Sequence, residues 1–179
     1  MIEREVSVLL LDLRGYGRLA TELSPLQVAA LLNRFFEGIG RFIEEEGGQI
    51  DKFMGDAVLV LFNTASGQPD HALRATRAAL RSLAWARDEF RENDRRFEAR
   101  AGINTGIVAL GGIGTAQRKD VTVIGSVVNQ AAVLQTHAGA SQAVLGQATY
   151  QAVRGTHEGR ALPPMDVFGE SVQAFAIDA

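Results

Sequence analysis

The residues best placed to do chemistry lie at the ends of short apolar runs. Asp12 follows the run VSVLLL (residues 6–11), and the segment QIDKFMGDAVLVLF (residues 49–62) sets Lys52 and Asp56 on either side of a bend at Met54 and Gly55. Two carboxylates converging at strand ends make a natural magnesium site, with the phosphates of a substrate filling the remaining positions. A strand, helix, strand, strand order can bring the end of the first strand beside the bend, so Asp12 is expected near Asp56. A two-residue turn at the bend would pair Phe53 with Asp56 on one face and point Lys52 to the other. A pocket needing both Lys52 and Asp56 would then draw them from two chains. The same residues also fit an ordinary hairpin with a charged tip.

The elements that must position these groups are legible as patterns. Residues 6–11 form a continuous apolar run, as expected for a central strand buried on both faces, which would leave Asp12 exposed at the sheet's edge. Ser24, Pro25 and Gln27 make a helix start with an N-cap, a proline in the first turn and a capping-box glutamine. Leu31, Leu32, Phe35, Ile39, Phe42 and Ile43 follow at helical spacing, and Gly47 and Gly48 stop the helix. Its last turn holds Glu44, Glu45 and Glu46, the wrong sign for a helix C-terminus.

Asp70 is expected to cap a second helix running to about Asn93, with Arg74, Arg77 and Arg81 solvated. Residues 100–104 and 107–110 read as two strands separated by Thr105 and Gly106, followed by a glycine-rich arm, LGGIGTAQRKD. Gly111, Gly112 and Gly114 do not make a phosphate-binding fingerprint, since no helix start follows them. Residues 121–124 form another short strand, and Gly125 and Ser126 open a helix carrying Asn129, either a helix polar contact or a ligand contact. A strand at AVLG, a short helix over residues 147–153 and a closing strand over residues 172–177 complete the chain.

Composition narrows the function classes. A chain of 179 residues, 46% hydrophobic, suits one domain over residues 1–179 with a sizeable core. A net charge of -3 without a basic run argues against nucleic acid and anionic membrane as partners. No segment is long enough to insert into a membrane and no cleavage-site pattern follows the first strand, so a cytoplasmic location is expected. Cysteine is absent, and His71, His137 and His157 lack metal-site spacing. Lysine occurs only at Lys52 and Lys119 among 18 basic residues, so Lys52 is not part of a general surface habit.

Taken together, LLLDLRGYGRLA, GGQIDKFMGDAVLVLF, AGINTGIVALGGIG and VTVIGSVVNQAAVL resemble, in order and spacing, four signature stretches of the class III adenylate and guanylate cyclase catalytic domain. The resemblance implies an α+β fold, a mixed, largely antiparallel sheet with flanking helices of the ferredoxin-like or palm type. It also implies a head-to-tail homodimer with nucleotide sites at the interface and a two-metal site for Mg²⁺ or Mn²⁺. On it, Asp12 and Asp56 match the metal-binding aspartates, and the backbone of Leu13, Arg14, Gly15 and Tyr16 matches the segment that cradles the terminal phosphates. Lys52 and Thr122 match the two base-reading positions in their adenine-reading form, favouring ATP over GTP, and Asn129 matches the asparagine that orients the ribose. Four residues beyond Asn129, where the family carries an arginine for the charge building on the α-phosphate, stands Val133. Ser126 and the pair Tyr16 and Gly17 also depart from the family's usual residues. Arg14, Arg118 and Lys119 are the alternative donors nearest in sequence.

Three readings follow. One is a Mg²⁺- or Mn²⁺-dependent nucleotidyl cyclase whose turnover is weakened at Val133. Another is a degenerate cyclase domain that binds nucleotide or only dimerises. A palm-type polymerase or diguanylate cyclase shares the carboxylate logic, but the chain lacks a basic template surface and a GGDEF-type turn.

Overall fold

The computed structural model describes residues 1–65, 67–93, 97–115, 117 and 119–179. The elements run β1 (Ile2–Arg14), α1 (Tyr16–Glu22), α2 (Pro25–Glu45), β2 (Gln49–Met54), β3 (Ala57–Phe62), α3 (His71–Asn93), β4 (Glu98–Gly114), β5 (Lys119–Ile124), α4 (Ser126–Thr136), β6 (Gln142–Gly146), α5 (Gln147–Val153), β7 (Arg160–Ala161), β8 (Met165–Val167), β9 (Glu170–Val172) and β10 (Ala174–Asp178). The main sheet has the order β2-β3-β1-β4-β6-β10-β7, with β5 added to β4 and with β8 and β9 forming a separate hairpin. Only β4 and β6 pair in parallel among these strands, so the fold is α+β with a mixed, largely antiparallel sheet.

Strand β1 explains its own apolar run. Leu9, Leu11 and Leu13 enter the core beneath α2 and α3, with Phe35, Ile39 and Leu83. The alternate residues Val6, Val8 and Leu10 enter a second core with Leu59, Leu61 and, from α4, Val127 and Ala131. Both faces of this strand are covered, so residues 6–11 carry no charge, and the one polar side chain among them, Ser7, is fully buried. β1 is longer than residues 6–11, and Asp12 lies within it, 9% exposed, rather than at an exposed edge. Pairing with β3 on one side and β4 on the other closes that position off.

Helix α2 starts as expected: Ser24 Oγ accepts from the Gln27 amide, while the Gln27 side chain accepts from the Ser24 amide. Its acidic C-terminus finds its reason in α3. Arg77 Nη2 lies 2.9 Å from Glu46, and Arg81 pairs with Glu45 and Glu46. Both arginines remain partly exposed, as expected, and they also supply the countercharge across the seam where α3 packs alongside α2. Arg74 instead donates to Asp70, one turn before it, at 2.7 Å.

Thr105 and Gly106 do not divide two strands. They lie inside the single 17-residue strand β4, and the glycine-rich arm is the outer half of that strand paired with β5. Gly102 on β4 is where α4 comes closest: a Cβ there would lie 2.2 Å from the Ala131 carbonyl oxygen. The strand cannot run straight. At about 3.3 Å per residue it would extend roughly 56 Å, against a radius of gyration of about 16 Å for a chain of this length. The closing strand expected over residues 172–177 is divided between β9 and β10.

Candidate nucleotide and metal site

Asp12, on the α4 side of β1, faces Ala57 of β3 and Arg100 of β4 across the sheet. Arg100 grips it with both arms of its guanidinium, Nε donating to Oδ1 at 2.8 Å and Nη2 to Oδ2 at 3.2 Å. The same arginine donates to the Thr136 carbonyl at the end of α4 at 3.2 Å. Antiparallel pairing of β1 with β4 brings the acid and the base together, and no local motif in either stretch signals that contact.

The hairpin turn differs from its expected register. Met54 pairs with Ala57 and Phe53 with Val58, so the two loop residues are Gly55 and Asp56. Asp56 is thus carried on the turn, beside Ala57, the residue that faces Asp12. Burial pushes the Asp56 carboxyl above its ordinary value and the charge of Asp12 adds to that, opposed by Asp56's own backbone N–H and by Arg100. The two acids share one electrostatic environment, as expected from the order of the elements. Among the described residues no group of three or more His, Cys, Asp or Glu side chains gathers.

Next to the acids, Gly15 holds φ of 87°, a left-handed turn that glycine enters without a Cβ penalty, and α1 begins at once with Tyr16. Leu13 is 1% exposed and belongs to the core, so only its backbone can meet a ligand. Arg14 stands 3.5 Å from Glu98. The two line a hollow of about 390 Å³ with Gly15, Arg18, Leu19 and Glu22.

Lys52 and Thr122 meet directly: Nζ donates to Oγ1 at 2.8 Å. In a flat sheet these residues would stand four strand spacings and about nine residues apart, roughly 35 Å. The contact therefore requires the outer half of β4, with β5, to coil back across the sheet, which is the curvature its length demands. Lys52 pairs with Leu59, and Leu59 with Leu10, which places Lys52 on the same face as Asp12, not on the opposite one. Opposite faces thus give no ground for a site shared between chains. What separates the two is partnership, since Lys52 is held by Thr122 and Asp12 by Arg100.

Asn129 is exposed on α4 and makes no hydrogen bond among the described residues. Val133, one turn further on, packs against the cluster of Leu134, Met165 and Val167 together with Leu162 and Val172. The position where the family carries an arginine is occupied here by an apolar contact. Arg118 and the side chain of Lys119 lie outside the described residues. The histidines have ordinary partners: His71 Nδ1 is 2.8 Å from Ser7 Oγ, His137 Nδ1 is 2.9 Å from the Val133 carbonyl, and His157 Nδ1 is 3.0 Å from Thr156 Oγ1.

Two residues of this region were not singled out from sequence. Arg100 is one, visible only through the β1–β4 pairing. Asp51 is the other, an acid inside a strand beside the lysine, where a bulge interrupts the ladder between Ile50 and Lys52.

Residues 2–178 match the family described as the adenylate and guanylate cyclase catalytic domain. The chain is 34% identical over 137 residues to an adenylate cyclase of Anabaena cylindrica, a match covering 74% of this chain and 27% of that protein. Among solved structures, the adenylyl cyclase CyaB of P. aeruginosa superposes with a TM-score of 0.89 at 28% identity, covering 99% of this chain and 95% of that one. The guanylyl cyclase Cya2 superposes with a TM-score of 0.88 at 30% identity, covering 98% and 92%. The chain spans about a quarter of the length of the curated relatives it matches, 27% of the Anabaena protein and 24% of a Mycobacterium tuberculosis protein.

Proposed function

Because the chain belongs to the adenylate and guanylate cyclase catalytic domain family, we propose that residues 1–179 form one cyclase domain that converts a nucleoside triphosphate, with ATP favoured, to its 3′,5′-cyclic nucleotide and pyrophosphate. The observation that carries this reading is the placement of Asp56 on the turn next to Ala57, the residue that faces Asp12, with Arg100 bound to Asp12. A carboxyl whose proton affinity is raised by burial and by a second carboxylate is suited to a cation, and an all-oxygen pair without nitrogen or sulfur donors suits Mg²⁺ or Mn²⁺. Metal bound there would lower the pKa of the ribose 3′-hydroxyl and neutralise the triphosphate.

The chain's own residues supply the remaining functions. Asp12 and Asp56 hold the metal. The backbone of Leu13, Arg14, Gly15 and Tyr16 meets the terminal phosphates, as the open turn at Gly15 permits. Lys52 donates to a ring acceptor of the base, and Thr122, which already holds the ammonium, completes the base-reading pair. Asn129, exposed and without a partner among the described residues, orients the ribose. In the step itself the 3′-oxygen releases its proton to solvent water and bonds to the α-phosphorus, while the bond from that phosphorus to the bridging oxygen breaks and pyrophosphate leaves with the electron pair. The site is assigned to two chains of a homodimer, Asp12 and Asp56 from one and Lys52, Thr122 and Asn129 from its partner, in keeping with the family.

A second reading rests on Val133. Its packing against the cluster of Leu134, Met165 and Val167 makes it an apolar contact, as in a domain that binds nucleotide or dimerises without turnover. One experiment separates the two. Purified protein is incubated with each nucleoside triphosphate and Mg²⁺ or Mn²⁺, cyclic product is measured, and ATP affinity is measured by calorimetry with and without EDTA. Cyclic AMP formation and an affinity that EDTA abolishes are expected. Metal-dependent binding without product would establish the regulatory reading, and equal affinity with and without EDTA would remove Asp12 and Asp56 as a metal site.

A further inference from the structure

Asp51 is the one acid of the described base-reading region that the reading above leaves without a task. A bulge frees it from the β2–β3 ladder: Ile50 pairs with Val60, Lys52 pairs with Leu59, and Asp51 between them has no opposite residue. Its side chain is nonetheless only 9% exposed. It lines a hollow of about 230 Å³ with Leu61, Leu110, Gly111, Val121 and Thr122. The wall is otherwise largely apolar, its remaining polar members being Gln49 and Thr64, which are hydrogen-bonded to each other at 2.7 Å, and Thr122. Among the described residues Asp51 Oδ2 is fully buried and accepts no hydrogen bond, although Lys52 Nζ lies 3.2 Å away. The ammonium is close enough for charge attraction but lacks hydrogen-bond alignment with that oxygen, because it is directed at Thr122. Leaving a buried acceptor unmet is unfavourable, and a ligand that brings a donor to it removes the cost.

A carboxylate and an ammonium about 3 Å apart at the edge of an apolar slot form an acceptor next to a donor. Their complement is a flat ring that carries a donor next to an acceptor, as adenine does with its 6-amino group and the adjoining ring nitrogen. We propose that Asp51 is a specificity residue of the base pocket, its free oxygen accepting from the 6-amino group of adenine while Lys52 donates to the adjacent ring nitrogen. This rests on the nucleotide reading above and deepens it, since it assigns the amino group a partner other than Thr122. Thr122 then acts on the ammonium, holding Lys52 at the mouth of the slot.

The test compares ATP with purine riboside triphosphate, which keeps the ring nitrogen and lacks the amino group. Affinities with Mg²⁺ are measured by calorimetry for the wild type, Asp51→Ala and Asp51→Asn. Wild type is expected to bind ATP about ten-fold more tightly, the scale of one hydrogen bond to a charged acceptor. Asp51→Ala should bring the ratio to about one, and Asp51→Asn, which keeps an acceptor oxygen of the same reach, should retain part of it. Circular dichroism of each variant establishes that it is folded, and the isosteric asparagine variant carries the test where alanine is not tolerated: its ratio must fall below that of the wild type. If wild type binds ATP but the ratio survives in both variants, Asp51 does not meet the amino group and acts at most on Lys52. An equal affinity of the wild type for both nucleotides overturns the proposal in the same way. If the wild type binds neither nucleotide, the reading of the whole site falls with it.

Discussion

Two buried polar clusters hang from the same strand, on opposite faces, and they differ in one respect that matters. On the helix-facing side Ser7, fully buried, lies 2.8 Å from His71 Nδ1 and 2.7 Å from Thr105 Oγ1, and Thr105 in turn lies 2.9 Å from Thr149. With Glu5 3.5 Å from His71 Nε2, the group has the makings of a nucleophile, a base and an acid. No substrate could reach Ser7, and every member is met from within. On the other side, Asp12 and Asp56 crowd like charge against like charge, with one arginine, Arg100, bound to Asp12. The first cluster is closed by its own partners, and the second is balanced only when something else is added. Chemistry is located by that imbalance, not by residue type.

The contrast can be broken hardest at the acids. Asp56→Ala and Lys52→Ala are each expected to lower cyclic nucleotide formation at least ~100-fold, since the proposed function gives Asp56 the metal and Lys52 the base. Mixing the two variants should restore part of the activity, because each mixed dimer keeps one site with all its residues. If the wild type is active and no mixture recovers, the two halves of the site do not come from two chains.

Val133→Arg sharpens the comparison from the other direction, by adding a donor where the site lacks one. An interaction made only in the transition state changes kcat and leaves ground-state affinity nearly alone, so turnover should rise about 10²–10³-fold with little change in KM. The packing of Val133 against the cluster of Leu134, Met165 and Val167 adds a cost, about 1 kcal/mol of stability, measured by urea unfolding. Unchanged turnover in a folded, nucleotide-binding variant would mean that another donor, Arg14 or Lys119, already fills the role, or that the domain is regulatory.

The smallest change belongs to the sealed cluster. Ser7→Ala leaves His71 and Thr105 short of a buried partner and should lower unfolding free energy by about 1–3 kcal/mol. Nucleotide affinity should stay as in the wild type. A variant that loses affinity for nucleotide while keeping its stability would show that the two clusters are not independent.

What could be read from the sequence followed from locality. The capping box of Ser24 and Gln27, the apolar stripe of α2 and the proximity of Asp12 to Asp56 depend on neighbouring residues and on the order of a few elements. The turn register failed by one step, because Gly55 and Asp56 fit a two-residue loop as well as Met54 and Gly55 do. The partners of Glu45 and Glu46, the contact of Arg100 with Asp12 and the solitary oxygen of Asp51 are products of long-range pairing. No spacing within a single stretch encodes them. Thr105 and Gly106 misled for a related reason, since a glycine that admits a helix from the side looks, in one dimension, like a break.

Strand β4 carries Arg100 beside Asp12 near one end and, near the other, Gly111 opposite Thr122. On the two-chain reading, β4 of each subunit therefore carries the phosphate half of one site and the base half of the other, set apart along one uninterrupted ruler graduated in single residues. Its length cannot be adjusted smoothly. Removing or inserting one residue between the two marks would turn the outer graduations over to the opposite face, and changing it by two would restore the face but displace Thr122 by a full pleat.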